Sequence, residues 1–178
     1  STKDTMADKT QIGLAGEYYV LAQLAQRGFV GALTMGHTKG IDILVSDAAY
    51  NSLYRIEVKT SAKSIHHESL FGKTAFYSWA MSEKHESIAD DRLFYCFVHL
   101  EAEDKLPKFF LVPSKEVARY VKWQHQYWLK SRKTKVQSTT MRRFRIPVDD
   151  PNGYFMNWNA LKPSNKRVQG TRRKRRVP

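Results

Sequence analysis

One cysteine among 178 residues, Cys96, excludes an internal disulfide and any cysteine-cluster metal site. No run of 18 apolar residues occurs, so no membrane-spanning helix is expected. The opening STKDTMADK lacks the apolar centre of a secretory signal. These absences favour an intracellular protein, in the cytoplasm or nucleoid of a prokaryote or the nucleus of a eukaryote. Acidic residues are scarce as well: 17 Asp and Glu stand against 30 Lys and Arg, a net charge of +13, and none follows Asp150. Such an excess favours a polyanionic partner, nucleic acid before an acidic protein. A membrane surface is disfavoured because the basic terminus has no apolar anchor beside it. No internal repeat is evident.

What remains is a composition that folds. Hydrophobic residues make up 42% and charged residues 26%, with 9 Phe, 9 Tyr and 4 Trp, which suits one globular domain with a real core. TQIGLAGEYYVLAQLAQR, Thr10 to Arg27, predicts a helix with Thr10 as N-cap and Gly28 as its stop, Leu14, Leu21, Leu24 and Ala25 facing the core. Phe29–Leu33 predicts a strand. Ile41, Ile43 and Val45 alternate with Asp42 and Leu44 in a second, and Tyr54, Ile56 and Val58 with Arg55, Glu57 and Lys59 in a third. Residues 61–72 predict a surface loop and 73–87 a helix using Phe76, Ala80 and Met81. LFYCFVHL at 93–100 is the strongest buried-strand signal, with KFFLV at 108–112 as hairpin partner and Cys96 buried between them. Ser114 is the expected cap of a helix whose face includes Val117, Tyr120, Val121, Gln124 and Trp128. RRFRIPV predicts an edge strand before the DDPNG turn. This order describes an α/β fold, a mixed sheet flanked by helices.

Two of the predicted strands carry charge where apolar residues would suit a core. Lys59 lies two residues beyond Glu57, so both leave the same strand face, and Asp42 sits on the preceding strand. Glu17 emerges near the buried face of the first helix, where an unpaired charge is expensive. Two carboxylates and a nearby carbonyl can collect oxygen ligands for Mg²⁺, and such an ion polarises a phosphodiester. Lys59 could orient a water or stabilise transition-state charge. Taken alone, the Glu57–Lys59 pair also reads as a surface ion pair with Arg55.

GLAGE at 13–17, KGIDILV at 39–45 and YRIEVKTS at 54–61 together resemble the PD-(D/E)xK nuclease superfamily, most in the manner of its Holliday-junction-resolvase-like and Mrr-like members. The resemblance spans about residues 10–112; Ile41 stands where the motif's name has Pro. It implies a restriction-endonuclease-like core and Glu17, Asp42, Glu57 and Lys59 as catalytic residues. It also implies Mg²⁺, or Mn²⁺, on Asp42, Glu57 and the main-chain carbonyl of Val58, with Glu17 joining through water. Hydrolysis would leave a 5′-phosphate, and the many dimeric relatives imply a homodimer. Residues 1–9 are then a flexible N-terminus, 10–161 a single nuclease-like domain and 162–178 a disordered basic tail.

The expected substrate is duplex or branched DNA, RNA remaining open. Lys63, His66, His67 and Lys73 follow the third strand. Arg132, Lys133, Lys135, Arg142, Arg143 and Arg145 form a second basic group, and Arg172, Arg173, Lys174, Arg175 and Arg176 a third, all candidates for phosphate contacts. The terminal group could instead be an import signal. WQHQYW, Trp123 to Trp128, is read as core packing in preference to base stacking. The function expected is metal-dependent cleavage of branched or structurally distinctive DNA. A sequence-specific restriction endonuclease and a noncatalytic DNA-binding protein of the same fold are the alternatives.

Overall fold

The computed structural model describes residues 7–35, 40–49, 51–67, 74–132, 134 and 137–162. In chain order the elements are α1 (Lys9–Gln26), β1 (Val30–Leu33), β2 (Ile43–Ser46), β3 (Leu53–Ser61), β4 (His66–His67), β5 (Ala75–Ser82), a 3-10 turn (Glu83–Glu86), β6 (Leu93–His99), β7 (Lys108–Pro113), α2 (Ser114–Lys130), β8 (Met141–Pro147) and a second 3-10 turn (Trp158–Leu161). Lys73, Lys133, Lys135, Arg172, Arg173, Lys174, Arg175, Arg176 and the expected disorder of the tail lie outside the described residues.

Five strands form the central sheet in the order β1-β2-β3-β6-β7. All neighbours are antiparallel except β3 and β6, which run parallel, so the sheet is mixed as the element order implied. Alternation along the strands divides two cores. Ile43, Val45, Ile56, Val58, Phe94, Cys96, Val98, Phe109 and Leu111 meet Val20 and Leu24 of α1 and the Trp158–Leu161 turn on one face. Leu93, Tyr95, Phe97, Phe110 and Val112 meet Val117 and Val121 of α2 on the other, together with Tyr77, Trp79, Phe144 and Ile146. Each large side chain so buried contributes roughly 1.5–3 kcal/mol. All seven residues of β6 are buried, as a strand covered on both faces requires.

The second core depends on a sheet that the sequence pattern does not reveal. Residues 75–82 form β5, not a helix, paired antiparallel between β4 and β8 in a three-stranded sheet. Phe76, Ala80 and Met81 happen to share helical spacing. The spacing that folding uses is two, with Tyr77, Trp79 and Met81 turned inward and exposed Ala80 outward. β8 supplies the ladder and forms the expected edge, and the Trp79 indole donates to the Val98 carbonyl at 2.8 Å, fastening this sheet to the central one.

Helix boundaries also shift. Asp8, not Thr10, caps α1: its carboxylate accepts from the Gln11 N–H at 2.8 Å and the Gln11 side chain accepts from the Asp8 N–H at 2.9 Å, a reciprocal box. At the other end Gly28 has φ +78° and the Phe29 N–H returns to the Leu24 carbonyl at 3.1 Å, the left-handed stop foreseen for Gly28. Leu14 and Ala25 are exposed, contrary to expectation; Gly16 and Val20 join Leu24 in contact with the sheet. Ser114 does not cap α2. Its hydroxyl donates to the Asp90 carbonyl at 2.7 Å and accepts from the Asp90 N–H at 2.8 Å.

Candidate active site

β3 outruns β2 at one end, and the edge that β2 leaves uncovered there, opposite the β6 ladder, builds the site. β2 starts at Ile43, opposite Ile56, whereas β3 continues to Ser61. Asp42 closes the ladder: its N–H donates to the Ile56 carbonyl and its own carbonyl accepts from the Thr34 N–H, both at 2.9 Å. Its carboxylate Oδ2 then accepts from the Val58 N–H at 2.7 Å. Asp42 is thereby fixed through main chain and side chain together. The Val58 carbonyl projects from the same strand edge as its N–H, toward Asp42.

Glu57 faces the layer opposite α1 and is only 3% exposed, so it is no surface ion pair. Burying a carboxylate costs several kcal/mol unless it is paired. Lys59 Nζ lies 2.6 Å from Glu57 Oε1, and His85 Nε2 lies 3.4 Å from the same oxygen. His85 itself is buried, with its Nδ1 3.0 Å from the Ser82 N and its Nε2 turned to Glu57. Burial opposes ionisation of Glu57; the His85 hydrogen bond and the Lys59 charge overcome it and hold the pKa at about 2. The second oxygen, Oε2, is buried with no hydrogen-bond partner. Gly40 covers it at φ +77°, and a Cβ added there would stand 3.4 Å from Oε2. Burial, then the Glu57 charge and the approach of its carboxylate to the hydroxyl, raises the Tyr95 pKa, though no hydrogen bond of full geometry joins the two.

The other two acids respond in the opposite direction. Burial raises the Asp42 pKa, the Val58 N–H opposes the rise and the Glu57 charge adds to it. Burial first, and then the Asp42 charge, raises Glu17. Burial is the larger cause in both, and the neighbouring carboxylate adds to it: Glu57 for Asp42 and Asp42 for Glu17. Among the described residues no three His, Cys, Asp or Glu side chains group closely enough to hold a metal alone. The oxygens that could hold a hard cation are those of Asp42, the Oε2 of Glu57 and the Val58 carbonyl, with water for the rest.

Asp42, Glu57 and Lys59 are thus brought together, with Glu17 within reach of their charge. Arg55 is not part of the group; it pairs with Asp90. His85 and Tyr95 escape the sequence because His85 lies where a helix was expected and Tyr95 inside an apolar strand. Gly40 stands next to the motif, but its contact with Glu57 is visible only in three dimensions.

The basic candidates divide. Lys63, His67 and Arg132 are exposed and Arg143 half-buried, while His66 stacks on Phe76 with ring centroids 6.1 Å apart. Arg142 is buried and engages Glu86 and the carbonyls of Thr139 and Met141. Arg145 is buried with its guanidinium 5.4 Å from the Phe76 ring. Burial on β8, Arg142 against Glu86 and Arg145 against Phe76, takes both out of the group of candidate phosphate contacts. WQHQYW keeps its expectation only in part: Gln124 is buried on the face foreseen and Trp128 half-buried, while Trp123 and Tyr127 are exposed.

No family model and no curated protein matches the sequence. A solved structure does: that of a bacterial homing endonuclease, I-Ssp6803I, at TM-score 0.52 and 14% identity, covering 86% of this chain and 91% of that one. The two share a fold. At that identity the likeness extends to the α/β architecture with its mixed sheet and flanking helices. Among the described residues no helix is long and apolar enough to cross a membrane.

Proposed function

We propose that the chain is a divalent-metal-dependent DNA endonuclease of the PD-(D/E)xK type that hydrolyses phosphodiester bonds in branched or otherwise distorted DNA. One observation carries the reading: where β3 runs on past the start of β2, Asp42 before β2 and Glu57 of β3 present oxygens beside Lys59, in a fold similar to that of an endonuclease. Asp42, Glu57 and the Val58 carbonyl would hold Mg²⁺ or Mn²⁺, which when bound polarises the scissile phosphate and acidifies a water. Lys59 would turn from Glu57 to the developing phosphate charge. Glu17 would orient the attacking water. The exposed Lys63, His67 and Arg132 and half-buried Arg143 would hold the phosphate backbone.

The test pairs cleavage with a readout that needs no turnover. Linear, nicked, flap and four-way-junction DNA, and RNA, are incubated with Mg²⁺, Mn²⁺ or chelator, and the midpoint of thermal unfolding is measured under the same conditions. The expected result is metal-dependent cutting that follows DNA shape across sequences, and a metal-induced rise in Tm, both lost in Asp42→Asn. Lys59→Met should keep the Tm rise and lose about 10²-fold or more in rate. Cutting confined to one sequence would reject the structural preference. No cutting and no metal effect on Tm would reject the enzyme.

A further inference from the structure

The outward side of α2 carries a set of groups that the cleavage site does not use. Helical spacing lines up Arg119, Trp123, Tyr127 and Lys130, with Lys122 and Gln126 beside them. All six are exposed. Trp123 is 51% exposed and Tyr127 41%, and their rings lie nearly parallel, centroids 5.6 Å apart at 22°. Trp123 also walls a cleft of about 180 Å³ between α2 and β8, together with Thr74, Phe76, Tyr120, Arg145 and Pro147. The wall is aromatic and apolar, and the Arg145 guanidinium contributes a cation beside the Phe76 ring.

Chemistry selects the occupant. No acidic residue occurs between Arg119 and Arg132, so this face attracts an anion. A second copy of the chain would bring the same cations against each other, and an acidic peptide would leave the paired rings without a use. A nucleotide satisfies both halves: its base offers a flat face to Trp123 or Tyr127, and its phosphates meet Arg119, Lys122 and Lys130. In an intact duplex the base faces are already stacked, so the rings require bases that have left the helix. α2 also covers the same face of the central sheet from which Glu57 and Lys59 project, so one DNA molecule could engage both. We propose that this face binds unpaired nucleotides of the substrate DNA, Trp123 and Tyr127 stacking on bases and the cleft accepting one. The inference rests on the nuclease reading and narrows its substrate to DNA with an unstacked or single-stranded element.

Fluorescence anisotropy in chelator tests it, using labelled single-stranded DNA, a perfect duplex and the same duplex with an unpaired bulge. Trp123→Ala and Tyr127→Ala should each weaken binding to the single strand and the bulge by about tenfold and to the perfect duplex by less than about twofold. Trp123→Phe, which keeps a ring, should recover most of the loss, and circular dichroism establishes that each variant is folded. Equal losses on all three DNAs, no loss, or a Trp123→Ala protein whose sedimentation shows a broken oligomer would each overturn the inference. Cleavage is read separately on the same proteins. Wild-type cutting without the stacking effect overturns this inference alone, and the stacking effect without wild-type cutting overturns only the nuclease reading.

Discussion

At the scale of single residues, Asp42 and Glu57 are a pair of carboxylates pushed in opposite directions. The Glu57 pKa falls from 4.5 to about 2 because His85 and Lys59 outweigh its burial. A lowered pKa means stability that is present above the unfolded value of 4.5 and lost as pH falls toward 2. In chelator, Glu57→Gln should therefore lower unfolding free energy near neutral pH, by up to about 3 kcal/mol, with the gap to wild type closing below pH 4.5. Asp42 has the opposite sign: its raised pKa makes the charge a net cost at neutral pH, and an amide oxygen can still accept from the Val58 N–H. Asp42→Asn should then be more stable than wild type without metal. Urea unfolding at neutral and acid pH measures both, and a stabilised Glu57→Gln or a destabilised Asp42→Asn would break the electrostatic account. An enzyme that keeps a destabilising charge for its ion would show this trade between stability and function.

At the scale of elements, the approach of α1 to β3 depends on one missing methyl group. A Cβ on Gly16 would stand 1.9 Å from Thr60 Oγ1 and 3.0 Å from Thr60 Cβ and Cγ2, so Gly16 lets the helix lie close and brings Glu17 to the strand end. Gly→Ala inside a helix gains about 1 kcal/mol from backbone entropy, whereas overpacking costs about 1–3 kcal/mol. At this contact the clash should win. Gly16→Ala is expected to destabilise by about 1–2 kcal/mol, with Thr60→Ala in the same chain returning part of the loss; a Gly16→Ala protein more stable than wild type would disprove close docking. Such contacts also mark how far sequence carries. β2, β3, β6 and β7 were legible because their apolar residues alternate or run unbroken, and so was the sharing of one strand face by Glu57 and Lys59. β5 was not, since AFYSWAMS fits a helical stripe and a strand equally well until β8 pairs with it. His85 is hidden for the same reason, because its approach to Glu57 follows from the 3-10 turn that ends β5.

At the scale of the whole molecule, charge is distributed unevenly along the chain. Residues 163–178 contain seven Lys and Arg and no acid, so removing them takes the net charge from +13 to +6. Salt dependence of DNA binding counts released counterions, with log K falling by about 0.9 per phosphate neutralised for each tenfold rise in salt. If the terminal segment contacts the backbone, truncation after Lys162 should flatten the slope of log K against log salt by several units and weaken binding at low salt far more than at high salt. Exposed cations on α2 would remain, so the truncated protein should retain its preference for bulged over perfect duplex while losing overall affinity. Titrations of both DNAs across salt concentrations, on the full chain and the truncated one, separate the two contributions. An unchanged slope would assign the backbone charge to the folded part alone, and a lost bulge preference would place recognition of unpaired bases in the terminal segment rather than at Trp123.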